Sequence, residues 1–223
     1  MNTGMMQALR IEVEGPVTSF RYPYFVQGEQ PTYEMPPPAT LYGHVCSALG
    51  AQVPPGTFRV ALCFTYTASF TDYEHTHLFG RETKLSPFRR HLLFQPRLIL
   101  YLDRPEWADA FRRPRYLVTL GRSQDLMHYR RVSVVTLQAA RQAYVEHTLL
   151  PLESAISVGA MVAVTMPRYI TPDRRVSWGQ YAMVRQRQMV AGNGDSLWVD
   201  PETDPWRGVR RAVIWLTYPV SPS

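Results

Sequence analysis

Apolar and polar residues alternate through positions 8–14, "ALRIEVE", the pattern of a strand with one face in the core, and Gly15-Pro16 ends it. The pattern then breaks. The segment "VTSFRYPYFVQGEQPTYEMPPP" carries five aromatics and five prolines, too interrupted for regular structure and too aromatic for a disordered linker. In "ATLYGHVCSALG" the period changes. Leu41, Val45, Ala48 and Leu49 fall on one helical face, and Gly50 is a natural stop. Pro36 to Pro38 make a stiff entry, tolerated because the first helical N–H groups have no partner within the helix.

Residues 58–66, "FRVALCFTY", and 97–102, "RLILYL", read as the next two strands. About thirty residues separate them, too many for a structureless loop in a compact domain. Two arms of strand-like composition, Ser69–Phe79 and Arg90–Gln95, predict a protruding hairpin whose tip region carries Arg81, Lys84, Arg89 and Arg90. A short helix over 104–113 and a fourth strand over about 116–121 complete a β-α-β-β-α-β order. That order predicts an α+β fold, a ferredoxin-like or RNA-recognition-motif core over residues 1–127 with a hairpin thumb at about 69–95. A smaller, mainly β region, 128–223, would pack on it through strands near 132–137, 158–166, 180–190 and 210–218.

Charge adds a direction. The 223 residues hold 24 Lys+Arg against 18 Asp+Glu, a formal charge of +6, and Lys84 is the only lysine. Arginine pairs bidentately with phosphate and stacks on bases, so an acidic partner such as nucleic acid is favoured. Cys46 and Cys63 form no metal or redox motif and read as buried thiols. No charged-then-apolar leader and no 18-residue apolar run occurs, so a cytoplasmic protein without a membrane segment is expected.

Three stretches carry candidate chemistry. "SFRYPYF", Ser19–Phe25, interleaves Arg21 with Phe20, Tyr22, Tyr24 and Phe25, which suits single-stranded RNA. An aromatic loop packed on the core with Arg21 in solvent fits equally well. "LGRSQDL", 120–126, offers Gly121, Arg122 and Ser123 to a phosphate, or is an ordinary turn capped by Ser123 or Asp125. "DYEHTH" places His75 and His77 on one strand face without a third ligand. His44 on the first turn of the helix is either a surface residue or the base of a metal-free ribonuclease. The remaining histidines, His91, His128 and His147, complete no nucleophilic or metalloprotease motif.

The co-linear set "GPVTSFRYP", "PPPATLYGHVCSALG", a basic hairpin and "LGRSQDL" resembles the Cas-five family of CRISPR-associated RAMP proteins, with type I-B variants nearest, over residues 8–127. "TLLPLE", 148–153, is similar too. The resemblance implies an RNA-recognition-motif core with a thumb, gripping the 5′ handle of the crRNA at one end of the Cascade surveillance complex. It also implies contacts with the backbone subunit and the large subunit, and with target DNA only indirectly. Carried over by position, Arg21 and Tyr22 would be handle contacts. Thr40, Tyr42, Gly43 and His44 would form the RNA-facing helix start. Arg81, Lys84, Arg89 and Arg90 would be the thumb, and Gly121, Arg122 and Ser123 the loop under the handle.

A non-catalytic role without cofactor or metal is expected. Type I-C relatives cut precursor crRNA with a tyrosine, a lysine and a histidine, whereas the lone lysine here sits at the thumb tip. The alternatives are a metal-independent endoribonuclease processing precursor crRNA and a metal-dependent enzyme using His75 and His77.

Overall fold

The computed structural model describes residues 4–23, 28–78, 84–154, 156, 158–192 and 197–218, with the backbone alone at 76–78 and 84–86. In chain order its strands begin with β1 Met5–Glu14, β2 Val17–Thr18 and β3 Glu29–Gln30, followed by helix α1 Pro38–Leu49. β4 Val60–Thr65, β5 Ala68–Leu78, β6 Lys84–Phe94 and β7 Arg97–Leu102 come next, then a 3-10 turn at Pro105–Trp107 running into α2 Ala108–Arg112. The rest is strand: β8 His128–Ala140, β9 Gln142–Val145, β10 Thr148–Pro151, β11 Val162–Ile170 and β12 Val176–Val184. β13 Gln188–Ala191, β14 Leu197–Val199 and β15 Ala212–Val213 close the series. The protein is mostly β, with few helices.

The main sheet runs in the order β15-β14-β8-β1-β7-β4, and all of its named pairs are antiparallel. Period-2 alternation sorts its two faces. Leu9, Ile11 and Val13 of β1, with Leu98, Leu100 and Leu102 of β7, join Leu41, Tyr42, Val45 and Ala48 of α1 in one core. Each of these leucine, isoleucine and valine side chains, taken fully out of water, contributes about 1.5–3 kcal/mol. Ala8, Tyr101, Val135 and Leu137 face the other way and pack with Val213. On that second face Arg10 donates to Asp200 at 2.9 Å, and the Tyr101 hydroxyl donates to the same carboxylate at 2.7 Å. Val213 of β15 and Asp200, next after β14, thus bring the C-terminal part of the chain to this face as an extension of the same sheet.

The helix at 38–49 begins and ends as the sequence predicts. Pro38 is its first residue, and Gly50 closes it at φ 72° with its N–H bonded to Cys46 O at 2.9 Å. The hairpin also forms, but its second arm begins at Lys84 and not at Arg90, so Arg89 and Arg90 lie on the strand opposite Tyr73 and Asp72 and away from the tip. β5 and β6 pair from Ala68↔Phe94 to Leu78↔Lys84, and short β2 and β3 pair with β6 near its base. Its turn, with Phe79 and Arg81, lies outside the described residues.

The fourth strand over 116–121 does not form. Tyr116 and Leu117 are exposed, and the segment folds back on itself through Met127 N–H to Val118 O, 2.8 Å, and Leu120 N–H to Asp125 O, 3.2 Å. Only a single bridge, Thr119↔Leu126, remains. A closed loop satisfies its own backbone groups and so has none left to offer a sheet. The fourth strand is β8 instead, paired with β1 from Met5↔Gln138 to Glu14↔His128. A boundary at 127/128 falls at the start of this strand. In the later strands, the run expected over 180–190 is split between β12 and β13.

Candidate nucleic-acid interface

A cleft of about 540 Å³ opens where four separate parts of the chain meet. Its lining includes Ser19 and Arg21 after β1, Thr40, Gly43 and His44 on α1, Gly121 and Arg122 in the loop, and Arg174 from the β11–β12 turn.

The first wall is held by backbone pairing. Phe20 N–H donates to Thr32 Oγ1 at 2.8 Å, and Tyr33 N–H donates to Phe20 O at 2.8 Å. Phe20 is thereby driven into the core, while Arg21 is exposed and has no ion-pair partner among the described residues. Tyr22 does not stand free to stack a base. It is half-buried against Tyr33, with ring centroids 3.7 Å apart, and burial raises its pKa. Packed aromatics around an outward arginine thus describe Phe20 to Tyr22; Tyr24 and Phe25 lie outside the described residues.

The second wall is the start of α1. Pro37 and Pro38 have no N–H, and Thr40 N–H is used by Pro37 O at 2.9 Å. Ala39 is left as the first N–H of the helix, so the prolines stiffen this corner and also remove donors from it. Gly43 is exposed, with open space where a Cβ would stand. Tyr42 points inward, contrary to its expected role. It is 5% exposed, donates to Val53 O, and packs edge-on against Tyr169 and Tyr218.

His44 is buried and fully engaged. Its Nδ1 meets Thr119 O at 2.8 Å, and the Tyr129 hydroxyl meets Nε2 at 3.0 Å. A carbonyl only accepts, so the proton is on Nδ1 and Tyr129 donates to Nε2. Burial lowers the His44 pKa, more than the Thr119 bond raises it. A neutral imidazole with both nitrogens bonded is a strut between α1 and the loop, neither a surface residue nor a base open to the cleft.

The third wall is built around Asp125, fully buried and not assigned a binding role in the sequence. Its carboxylate accepts from Ser19 N–H at 3.2 Å and from Arg122 N–H at 3.0 Å, while Arg122 Nη2 reaches it at 2.7 Å. Thr18 Oγ1 donates to Leu120 O. Gly121 has φ 95°, and a Cβ there would stand 2.6 Å from Ser19 O. Its glycine thus allows the loop to approach the end of β2. Arg122 also pairs with Glu74 on the hairpin, and Glu74 accepts from Arg90 Nε at 2.6 Å. Arg122 and Arg90 are therefore tied to carboxylates, and Ser123 is exposed beside them.

Sequence similarity spans all of these segments. The family described as CRISPR-associated protein (Cas_Cas5) matches residues 8–192. The chain belongs to this family. No curated protein sequence matches it. In fold, this Cas-five family member is similar to a chain of a "CRISPR RNA-guided surveillance complex", with TM-score 0.57 and 14% identity over 81% of this chain and 90% of that one. It is also similar to a CRISPR protein from Archaeoglobus fulgidus, with TM-score 0.55 and 11% identity over 94% of this chain and 100% of that one.

On the hairpin of this Cas-five protein, Arg89 is exposed and donates from Nε to the Tyr73 hydroxyl at 3.1 Å, with its guanidinium over the same ring. Of the other expected hairpin residues, Arg81 and the Lys84 side chain lie outside the described residues, as does the His77 side chain, while His75 is exposed. No cluster of three metal-ligating side chains is found among the described residues, and no helix there is long and apolar enough to cross a membrane. Arg174 was missed in the sequence. Its only signal was "TPDRR", a turn-forming dipeptide followed by two arginines, far from the other site residues.

Proposed function

We propose that this chain is a non-catalytic crRNA-binding subunit of a Cascade-type surveillance complex in the cytoplasm, holding the 5′ handle and joining the backbone and large subunits. In this reading the sheet with α1 and α2 is an RNA-recognition-motif-type core, and the β5–β6 hairpin is its thumb. One observation carries the reading: Arg21, Thr40, Gly43, His44, Gly121 and Arg122, from three distant segments, line one cleft. Arg21 and Arg174 are exposed on that cleft without ion-pair partners among the described residues. Unneutralised arginines at a strand end suit a phosphodiester backbone. The non-catalytic role rests on His44, whose two ring nitrogens are both occupied.

The test is co-expression of the chain with the partner subunits and crRNA. The wild-type protein is expected to copurify with crRNA in a salt-sensitive complex, and Arg21→Ala to lower the yield. Incubation of the purified protein with repeat RNA, with and without chelator, is expected to leave the RNA intact. Full assembly of the Arg21→Ala complex would refute the handle site. Cleavage lost in His44→Ala would establish a metal-free ribonuclease, and cleavage lost with chelator a metal enzyme.

A further inference from the structure

The turn joining β11 to β12 has an arginine where its backbone favours glycine. Thr171 N–H bonds Arg175 O at 2.9 Å, and Arg174 N–H bonds Thr171 O at 2.9 Å, so three residues, Pro172 to Arg174, form the tip. Such loops place their last residue in the left-handed region, where glycine is the unstrained occupant. Here that residue is Arg174, at φ 67°.

The rest of the turn is self-sufficient. Thr171 Oγ1 donates to Asp173 at 2.5 Å, Arg175 Nε donates to Asp173 at 2.7 Å, and Arg175 N–H donates to Thr171 Oγ1 at 2.9 Å. Asp173 is thereby committed to Thr171 and Arg175. Arg174 is exposed, lines the cleft beside Pro167 and Ile170, and has no carboxylate partner among the described residues. Among the described residues it supports no neighbour that would explain a side chain at this backbone angle. A strained position occupied without structural return points to a function for the side chain.

We propose that Arg174 clamps a phosphodiester of the single-stranded RNA bound in this cleft, acting with Arg21, so that the C-terminal region supplies one arm of the site. This rests on the RNA-holding reading above and adds a residue and a chain segment to it. The turn presents the guanidinium from a backbone fixed by its own hydrogen bonds, which lowers the ordering cost of binding.

Strain and binding make opposite demands on this position, and that gives the test. Arg174→Gly relieves the backbone and removes the guanidinium, whereas Arg174→Ala removes the guanidinium and keeps the strain. Thermal unfolding and binding of a labelled single-stranded RNA carrying the crRNA 5′ handle are measured across a salt series. Arg174→Gly is expected to raise Tm by about 1–4 °C. It should also weaken RNA binding about tenfold and make the salt slope shallower by about 0.7. Arg174→Ala should lose the same affinity without the gain in Tm, and Arg174→Lys should recover part of the affinity.

If Arg174→Gly binds with wild-type affinity and slope while Arg21→Ala is weakened, the inference fails and the RNA-holding reading stands. Wild-type protein without salt-sensitive RNA binding would remove the reading itself. A lower Tm in Arg174→Gly would make the arginine a structural residue and overturn the proposal.

Discussion

Arg122 and Asp125 lie three residues apart and are joined side chain to side chain, Nη2 donating to Oδ1 at 2.7 Å and Nε to Oδ1 at 3.0 Å and to Oδ2 at 3.1 Å. Because Asp125 also accepts from Ser19 N–H, this pair connects the 120–126 loop to the exit of β2. Asp125→Ala should cost about 2–4 kcal/mol, since it leaves two backbone N–H groups and a largely buried guanidinium without their acceptor. Urea unfolding checks it. A loss below about 0.5 kcal/mol would mean that the loop does not depend on Asp125.

Gly121→Ala should destabilise for two reasons that add. The backbone angle of φ 95° disfavours any L side chain, and the new methyl would press on Ser19 O and Thr18 Oγ1. The expected loss is about 2–3 kcal/mol, a fall in Tm of roughly 4–12 °C. A thermal melt of the purified variant decides it, and wild-type Tm would contradict the close approach.

Two of the three arginines that line the cleft, Arg21 and Arg122, should separate when each is replaced by alanine. Arg21→Ala should lower RNA binding and its salt slope while leaving unfolding within about 0.5 kcal/mol of wild type, because Arg21 is exposed and unpaired among the described residues. Arg122→Ala should lower both stability and binding, because its guanidinium holds Asp125 and Glu74. Equal stability losses in the two variants would show that the assignment of roles is wrong.

His44 gives a dependence on pH. Its folded-state pKa is lowered by burial, so as pH falls below about 6.5 the unfolded chain takes up a proton that the folded protein refuses. Stability is full above that pH and falls below it, by at most about 1.4 kcal/mol per pH unit from this residue. His44→Gln should be less stable at neutral pH but flatter from pH 7 to 5. An unchanged slope would show that His44 does not stay neutral.

Shortening the hairpin should test the thumb without touching its base. Arg90 at the base is bound to Glu74, and Arg89 N–H donates to Gly28 O at 2.9 Å, so residues 87–94 need to stay. Replacing 76–86 by a short Gly-Ser turn should leave the domain folded by circular dichroism and impair docking of the first backbone subunit on crRNA. Normal complex assembly by the shortened protein would make the outer hairpin dispensable.

Local pattern alone determined the first strand, helix α1 with its glycine stop, the first hairpin arm and the arginine-rich charge, because each depends on residues adjacent or one helical turn apart; the second arm runs six residues further toward the tip than its composition predicts. The family was legible for the same reason, since its signature stretches lie within short spans of sequence. Tertiary structure decided the rest. "RYLVTL" reads as a strand, but Asp125 offers a competing set of hydrogen bonds that closes the segment into a loop, and 128–140 takes the place beside β1. Tyr42 and His44 share one helix turn, and only the packing of β11 and the loop turns one into the core and makes the other a strut. Arg90 and Arg122 read as free cations until folding brings Glu74 and Asp125 to them, from 16 residues away for Arg90 and only three for Arg122. Arg174 reaches the cleft from more than fifty residues beyond Arg122, a distance that no local period records. Sequence specifies which side chains carry charge; three-dimensional proximity decides which of those charges remain available to a ligand.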